Sequence, residues 1–128
     1  MNEVVFDASA VLALLQNEPG AEKLTGDVLV RAVASAVNLA EVQSKLVKVK
    51  NDPDRAWAAA LSTVNAVEPY SREQARIASD LITQTEEYGL SLGDSSCLAL
   101  AIYLGAEVYT TEQIWKNLKL GILIHVIR

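Results

Sequence analysis

The chain has 128 residues, 51% of them hydrophobic and 21% charged, with 6 Gly and 3 Pro, which suits one domain with a continuous core and excludes disorder and low complexity. Its longest apolar run, Cys97 to Leu104, falls far short of the ~20 residues a membrane-spanning helix needs, and the first basic residue is Lys23, so neither a span nor a secretory signal is expected and the cytoplasm is the expected location. The net charge of −5, from 11 basic and 16 acidic residues, argues against generic nucleic-acid binding unless cations gather on one face or bound metal ions offset the acids.

Glu3 to Phe6 is rich in β-formers and ends at Asp7, and Ala8 to Leu15 follows as an Ala- and Leu-rich buried helix. Glu18-Pro19-Gly20 stops that helix; Pro19 starts a second one through Leu24, closed by Thr25-Gly26, so that a helical hairpin follows the first strand. Ala32 to Val37 is the next strand, after which Asn38 caps a helix to about Lys50. That helix buries Leu39, Val42, Leu46 and Val49 and carries Glu41, Lys45 and Lys48 on its opposite face.

Asp52-Pro53 starts another helix with Trp57, Leu61 and Val64 at buried spacing, and Ala66 to Pro69 has room for a brief strand. Ser71 and Gln74 form a capping box for a helix to Tyr88 that buries Ile77, Ala78, Leu81, Ile82 and Thr85 and ends at Gly89. Leu92-Gly93-Asp94 opens a helix that is apolar on every side from Cys97 to Leu104 and stops at Gly105. Glu107 to Thr110 is a strand, Glu112 to Leu118 a short helix and Ile122 to Ile127 the last strand. Strands that alternate with helices predict an α/β fold, a three-layer α/β/α sandwich around a short, mostly parallel central sheet, within a single domain over residues 1–128.

Ligands of such sheets bind beyond the carboxyl ends of the strands. Four acids approach that edge: Asp7 after the first strand, Glu41 in the helix after the second, Asp94 at the start of the buried helix, and Glu112 after the Glu107 to Thr110 strand. Each also has a structural reading. Asp7 and Asp94 suit helix N-caps, Glu41 lies three residues after Asn38 as a capping-box acid would, and Glu112 opens a short helix. Together they are harder to account for that way, because carboxylates about 5 Å apart at an effective dielectric near ~20 repel by roughly 3 kcal/mol per pair. Either one carboxylate takes up a proton, or a divalent cation turns the cluster into a binding site. Oxygen-only ligands favour Mg²⁺ or Mn²⁺. Ser9 and Thr110 suit the orientation of those carboxylates, or else turn chemistry.

Val4-Val5-Phe6-Asp7-Ala8-Ser9, Val37-Asn38-Leu39-Ala40-Glu41-Val42, Leu90-Ser91-Leu92-Gly93-Asp94 and Tyr109-Thr110-Thr111-Glu112 resemble, in order and spacing, the successive motifs of PIN-domain proteins. The compact size is similar to that of the VapC-type ribonuclease toxins of toxin–antitoxin pairs. The resemblance implies that Asp7, Glu41 and Asp94 are the acidic triad and that Glu112 stands where the family more often has Asp, all four as catalytic metal ligands. It implies RNA as substrate, cut by a metal-activated water to leave a 5′-phosphate, and it implies a homodimer neutralised by a cognate antitoxin protein.

The charge objection has a partial answer in Lys45 and Lys48, which follow Glu41 along one helix face and suit RNA phosphates, or else a Glu41–Lys45 pair. Lys50, Arg55, Lys116 and Lys119 extend the basic neighbourhoods. Single Cys97 supplies neither a disulfide nor a thiolate zinc site, and it and His125 read as structural, as do Trp57 and Trp115, in the core or an interface. Apolar residues at Leu12 to Leu15, Leu24 and Val28 to Val30 exceed what one thin layer obviously buries and suggest an interface. The competing reading is a non-catalytic PIN-like module that binds protein or RNA without cutting. A phospho-receiver domain is third, and it lacks the adjacent acids and the late Lys it would need.

Overall fold

A computed structural model describes residues 2–128. Its five strands are β1 (Val4–Phe6), β2 (Ala32–Ser35), β3 (Ala66–Glu68), β4 (Glu107–Thr110) and β5 (Ile124–Val126). They form one sheet in the order β3-β2-β1-β4-β5, and every pairing is parallel. Central β1 is buried throughout, which is why it reads as a continuous apolar run rather than an alternation. The register sets Val5 against Val33 on one side and Val108 on the other.

Seven helices connect the strands: α1 (Ala8–Gln16), α2 (Gly26–Leu29), α3 (Ala36–Lys50), α4 (Pro53–Leu61), α5 (Arg72–Asp80), α6 (Ile82–Thr85) and α7 (Leu92–Leu104). One core layer packs Val4, Phe6, Ala32 and Ala34 of the sheet against Val11, Leu39, Val42 and Ala60 of α1, α3 and α4. On the other face, Val5, Val33 and Val108 meet Cys97, Leu98 and Leu100 of α7, with Leu81 and Trp115 alongside. The three expected layers are therefore present. A parallel sheet flanked in this way turns the N-terminal ends of α1, α3 and α7 toward the carboxyl edge of the strands, where their dipoles favour negative charge.

Several sequence expectations change at element boundaries. α1 ends on Asn17 in the left-handed conformation, and Pro19 starts no regular helix. Gly20, at φ +100°, opens a single 3₁₀ turn, Ala21–Lys23, at a point where a Cβ would strike the backbone carbonyl of Ile127. Thr25 then opens α2 instead of closing a helix, so two isolated turns replace the expected hairpin. Strand β2 stops at Ser35, whose hydroxyl accepts from Val37 N and caps α3; Asn38 thus lies inside the helix and is not its cap.

Val49 is exposed, because the α3 stripe leaves the core after Leu46. In α4 the buried positions are Ala56 and Ala60, while Trp57 and Leu61 are 40% and 39% exposed: small residues let α4 lie close on α3. The helix expected from Ser71 to Tyr88 is broken at Leu81, leaving Ile82 exposed. Ser71 does cap α5, but the Gln74 amide donates to the Pro69 carbonyl instead of returning to Ser71, so the capping box is half formed. Tyr103, near the end of α7, faces solvent, and Gln113–Asn117 is a 3₁₀ segment with Trp115 buried. Leu12, Ala13, Leu24 and Val28 are buried, and Leu14, Leu15 and Leu29 pack partly against the core. Of the apolar excess expected to mark an interface, only Val30 remains exposed. Among the described residues no helix is long and apolar enough to cross a membrane.

Candidate active site

Asp7 follows the last residue of β1, and Thr110 ends β4, the neighbouring strand; the pairing of Phe6 with Tyr109 brings the two side chains together. The Asp7 carboxylate is buried and carries four short hydrogen bonds. Thr110 Oγ1 donates to Oδ2 at 2.7 Å, Ser9 Oγ reaches Oδ1 and Oδ2 at 2.7 and 2.9 Å, and Ala10 N donates to Oδ1 at 2.8 Å. The last bond makes Asp7 the N-cap of α1, as its structural reading had it. Even so, burial pushes its carboxyl up to about 6, against the opposing pull of Thr110, Ala10 and Ser9, with the Glu112 charge adding to the rise. A cap has no need of such burial, and among the described residues no cationic side chain pairs with it.

The hydroxyls extend the network. Ser9 Oγ accepts from Thr111 N at 2.9 Å and Thr110 Oγ1 accepts from Glu112 N at 3.0 Å, so the turn carrying Glu112 is tied to the same carboxylate. Glu112 itself is exposed and makes no side-chain cap for the 3₁₀ segment that follows.

Glu41 and Asp94 approach from α3 and α7. With Ser35 as the cap of α3, Glu41 stands beyond the first turn, and its capping-box reading lapses. Instead, Glu41 Oε1 accepts from Asn38 Nδ2 at 3.0 Å, and its carboxylate lies flat over Gly93, where a Cβ would collide with it. Asn38 Nδ2 also donates to the Gly93 carbonyl at 3.0 Å, linking α3 to the first turn of α7. Ser91, not Asp94, is the N-cap of α7; Asp94 completes a capping box by accepting Ser91 N on Oδ2 at 3.0 Å. The buried Cys97 thiol is held well above its ordinary pKa by burial first, and further by the charges of Asp7, Asp94 and Glu41. All three acids are therefore near enough to Cys97 for their charges to act on it, and Glu112 is near enough to Asp7 to act on its carboxyl. Among the described residues no three His, Cys, Asp or Glu side chains stand in the arrangement of metal ligands.

Lys45 and Lys48 are exposed and line an open groove of about 510 Å³ with Val37, Ala40, Glu41 and Ser44. Among the described residues Glu41 pairs with no lysine, so both ammonium groups stay available. Lys50 and Arg55 line a second groove, of about 500 Å³, beside Leu15, Leu46 and Val49. His125 is remote from Cys97 in role: its Nε2 lies 2.7 Å from Glu107 Oε1 and its ring stacks on Tyr109.

A family model, the PIN domain, matches residues 4–119. The chain belongs to the PIN-domain family. This PIN domain is similar in fold to a DNA-bound VapBC from Salmonella typhimurium, at a TM-score of 0.77 and 19% identity over 98% of each chain. A toxin–antitoxin complex from Klebsiella pneumoniae gives 0.73 and 23% identity over 94% of this chain and 96% of the other. VapC20 of Mycobacterium tuberculosis, a sarcin-ricin loop cleaving toxin, gives 0.72 and 21% identity over 94% and 99%. A search of curated proteins returns no match.

PIN domains are generally dependent on divalent metals, and the donor set of this one suits such an ion. All four acids offer oxygen; among the described residues Asp7 is a buried carboxylate without a cationic partner, and Asp94 commits only Oδ2. Asn38 and Gly93 are the residues that sequence reasoning missed here. Asn38 was hidden by its suitability as a cap, and the signal for Gly93 is that glycine is disfavoured inside a helix unless something approaches closely.

Proposed function

We propose that this PIN domain is a metal-dependent endoribonuclease and the toxin of a toxin–antitoxin pair. The observation that carries the reading is the burial of the Asp7 carboxylate at the carboxyl edge of the sheet with no cationic partner among the described residues, and Asp7, Glu41 and Asp94 all lie near enough to Cys97 for their charges to act on its thiol. Asp7, Glu41 and Asp94 would hold Mg²⁺ or Mn²⁺, with Glu112 at the margin. When bound, such an ion lowers the pKa of a coordinated water and stabilises charge on a phosphodiester oxygen.

The chain's own residues do the rest. Ser9 and Thr110 fix the Asp7 carboxylate, and Lys45 and Lys48 take RNA phosphates beside Glu41. No side chain serves as nucleophile, since the Cys97 thiol is buried and held protonated. The attacking group is water, and the product carries a 5′-phosphate. An antitoxin partner is supported by the fold's likeness to VapBC complexes, and a homodimer is proposed on the same ground, with cytoplasmic action.

The test is cleavage of RNA by purified protein with Mn²⁺ or Mg²⁺. The expected result is 5′-phosphate ends, with Asp7→Asn and Asp94→Asn folded and inactive; undiminished cutting by both variants refutes the site. A second reading, a PIN-like module that binds without cutting, draws on Asp94 being turned onto Ser91. Protein that binds RNA and takes up no divalent metal near neutral pH supports it.

A further inference from the structure

Asn38 is 1% exposed, and its amide is committed in one direction only. Both acceptors of Nδ2, Glu41 Oε1 and the Gly93 carbonyl, accept without donating, which fixes the orientation of the amide. Oδ1 is then left buried with no partner among the described residues. A buried, half-satisfied amide is a poor structural choice, because an apolar side chain of the same shape would pack here without stranding an oxygen. The two donated bonds are what the site keeps it for. They tie the Glu41 carboxylate to the first turn of α7 at Gly93, where a Cβ would collide with it.

We infer that Asn38 is a positioning residue that clamps the Glu41 carboxylate against Gly93 and so sets its distance from Asp94, the next residue of α7. The inference rests on the proposed nuclease reading for its purpose, though not for its geometry. With Asn38 in place, Glu41 cannot swing along α3 toward Lys45, and the two acids enter any complex at a fixed separation. Without it, Glu41 rotates freely and the pair must be ordered each time a cation binds.

Two measurements test this. In metal-free protein with EDTA, the Asn38 side-chain amide protons should exchange slowly and shift on Glu41→Ala; amide signals indifferent to Glu41→Ala overturn the clamp. In Mn²⁺ calorimetry, Asn38→Leu, nearly isosteric, should weaken binding by about tenfold to a hundredfold and add nothing further in a Glu41→Ala background. No loss, or a loss that adds fully to that of Glu41→Ala, marks Asn38 as a mere packing residue and overturns the inference. If Asn38→Leu does not fold, Asn38→Ser carries the same expectation, and failure of both to fold also assigns Asn38 to the core. Wild-type protein that binds no Mn²⁺ contradicts the nuclease reading alone, and the amide signals still decide the clamp.

Discussion

Thr110 Oγ1 donates a 2.7 Å hydrogen bond to Asp7 Oδ2 across 103 residues of sequence, because β1 and β4 are neighbours in register. Of the groups that hold the Asp7 carboxyl down against burial, this hydroxyl has the largest effect. Thr110→Val, which keeps the shape and removes the donor, should raise the Asp7 pKa further. Mn²⁺ affinity is expected to fall about tenfold or more, and the acidic limb of the cleavage profile should move to higher pH. Titration of metal binding against pH checks both.

Asp7 also makes the metal-free protein's stability depend on pH in a direction opposite to the usual carboxylate. Its folded pKa, about 6, lies above the ordinary 3.8, so the folded state holds a proton that the unfolded state has released. The stability Asp7 contributes is therefore fully present below its ordinary pKa of 3.8, is lost as the pH rises through about 6, and is absent above that. At about 1.4 kcal/mol per pH unit the loss is on the order of 2–3 kcal/mol. Asp7→Asn removes it, so urea unfolding in EDTA should find the variant more stable than wild type at pH 7.5, with the gap closing toward pH 4.

Gly93→Ala separates fold from site. Ala favours a helix over Gly by about 1 kcal/mol, but its Cβ would occupy the space of the Glu41 carboxylate. The variant should melt within ~1 kcal/mol of wild type and bind Mn²⁺ at least about tenfold more weakly. Equal affinity would show that Glu41 is not needed over Gly93.

On the proposed reading, Lys45 and Lys48 bear on RNA rather than on metal. Replacing each by Ala should weaken RNA binding and reduce the slope of log affinity against log salt by about 1 per lysine. Mn²⁺ affinity should be unchanged. Filter binding at several salt concentrations, with Asp94→Asn in the background to prevent cutting, measures this.

The fold was largely legible because its signals are local. Asp7 ends a run of buried β-formers, Gly105 stops an all-round apolar helix, and Ser71 caps α5 through Gln74 N. The same locality failed where two local readings fit one residue. Asn38 and Ser35 both suit an N-cap, and only the length of β2, fixed by its pairing with β1 and β3, selects Ser35. Trp57 and Ala56 both suit a buried stripe, and the close approach of α4 to α3 selects the alanine. Near the candidate site, the places of Asp7 and Glu112 after strands and of Asp94 in the first turn of α7 were readable, whereas Glu41 lies beyond the first turn of α3. The link between Asn38 and Gly93 was not readable, because it spans 55 residues and depends on how α3 packs on α7.

Calorimetric titration of Mn²⁺ into wild type, Asp7→Asn, Glu41→Gln and Asp94→Asn at pH 7.5 tests the cation site most directly. Saturable binding by wild type is expected, with loss in Asp7→Asn and Asp94→Asn and weakening in Glu41→Gln, all with melting curves that report folded protein. Wild type that gives no heat of binding, or variants that bind as well as wild type, would contradict the cation site.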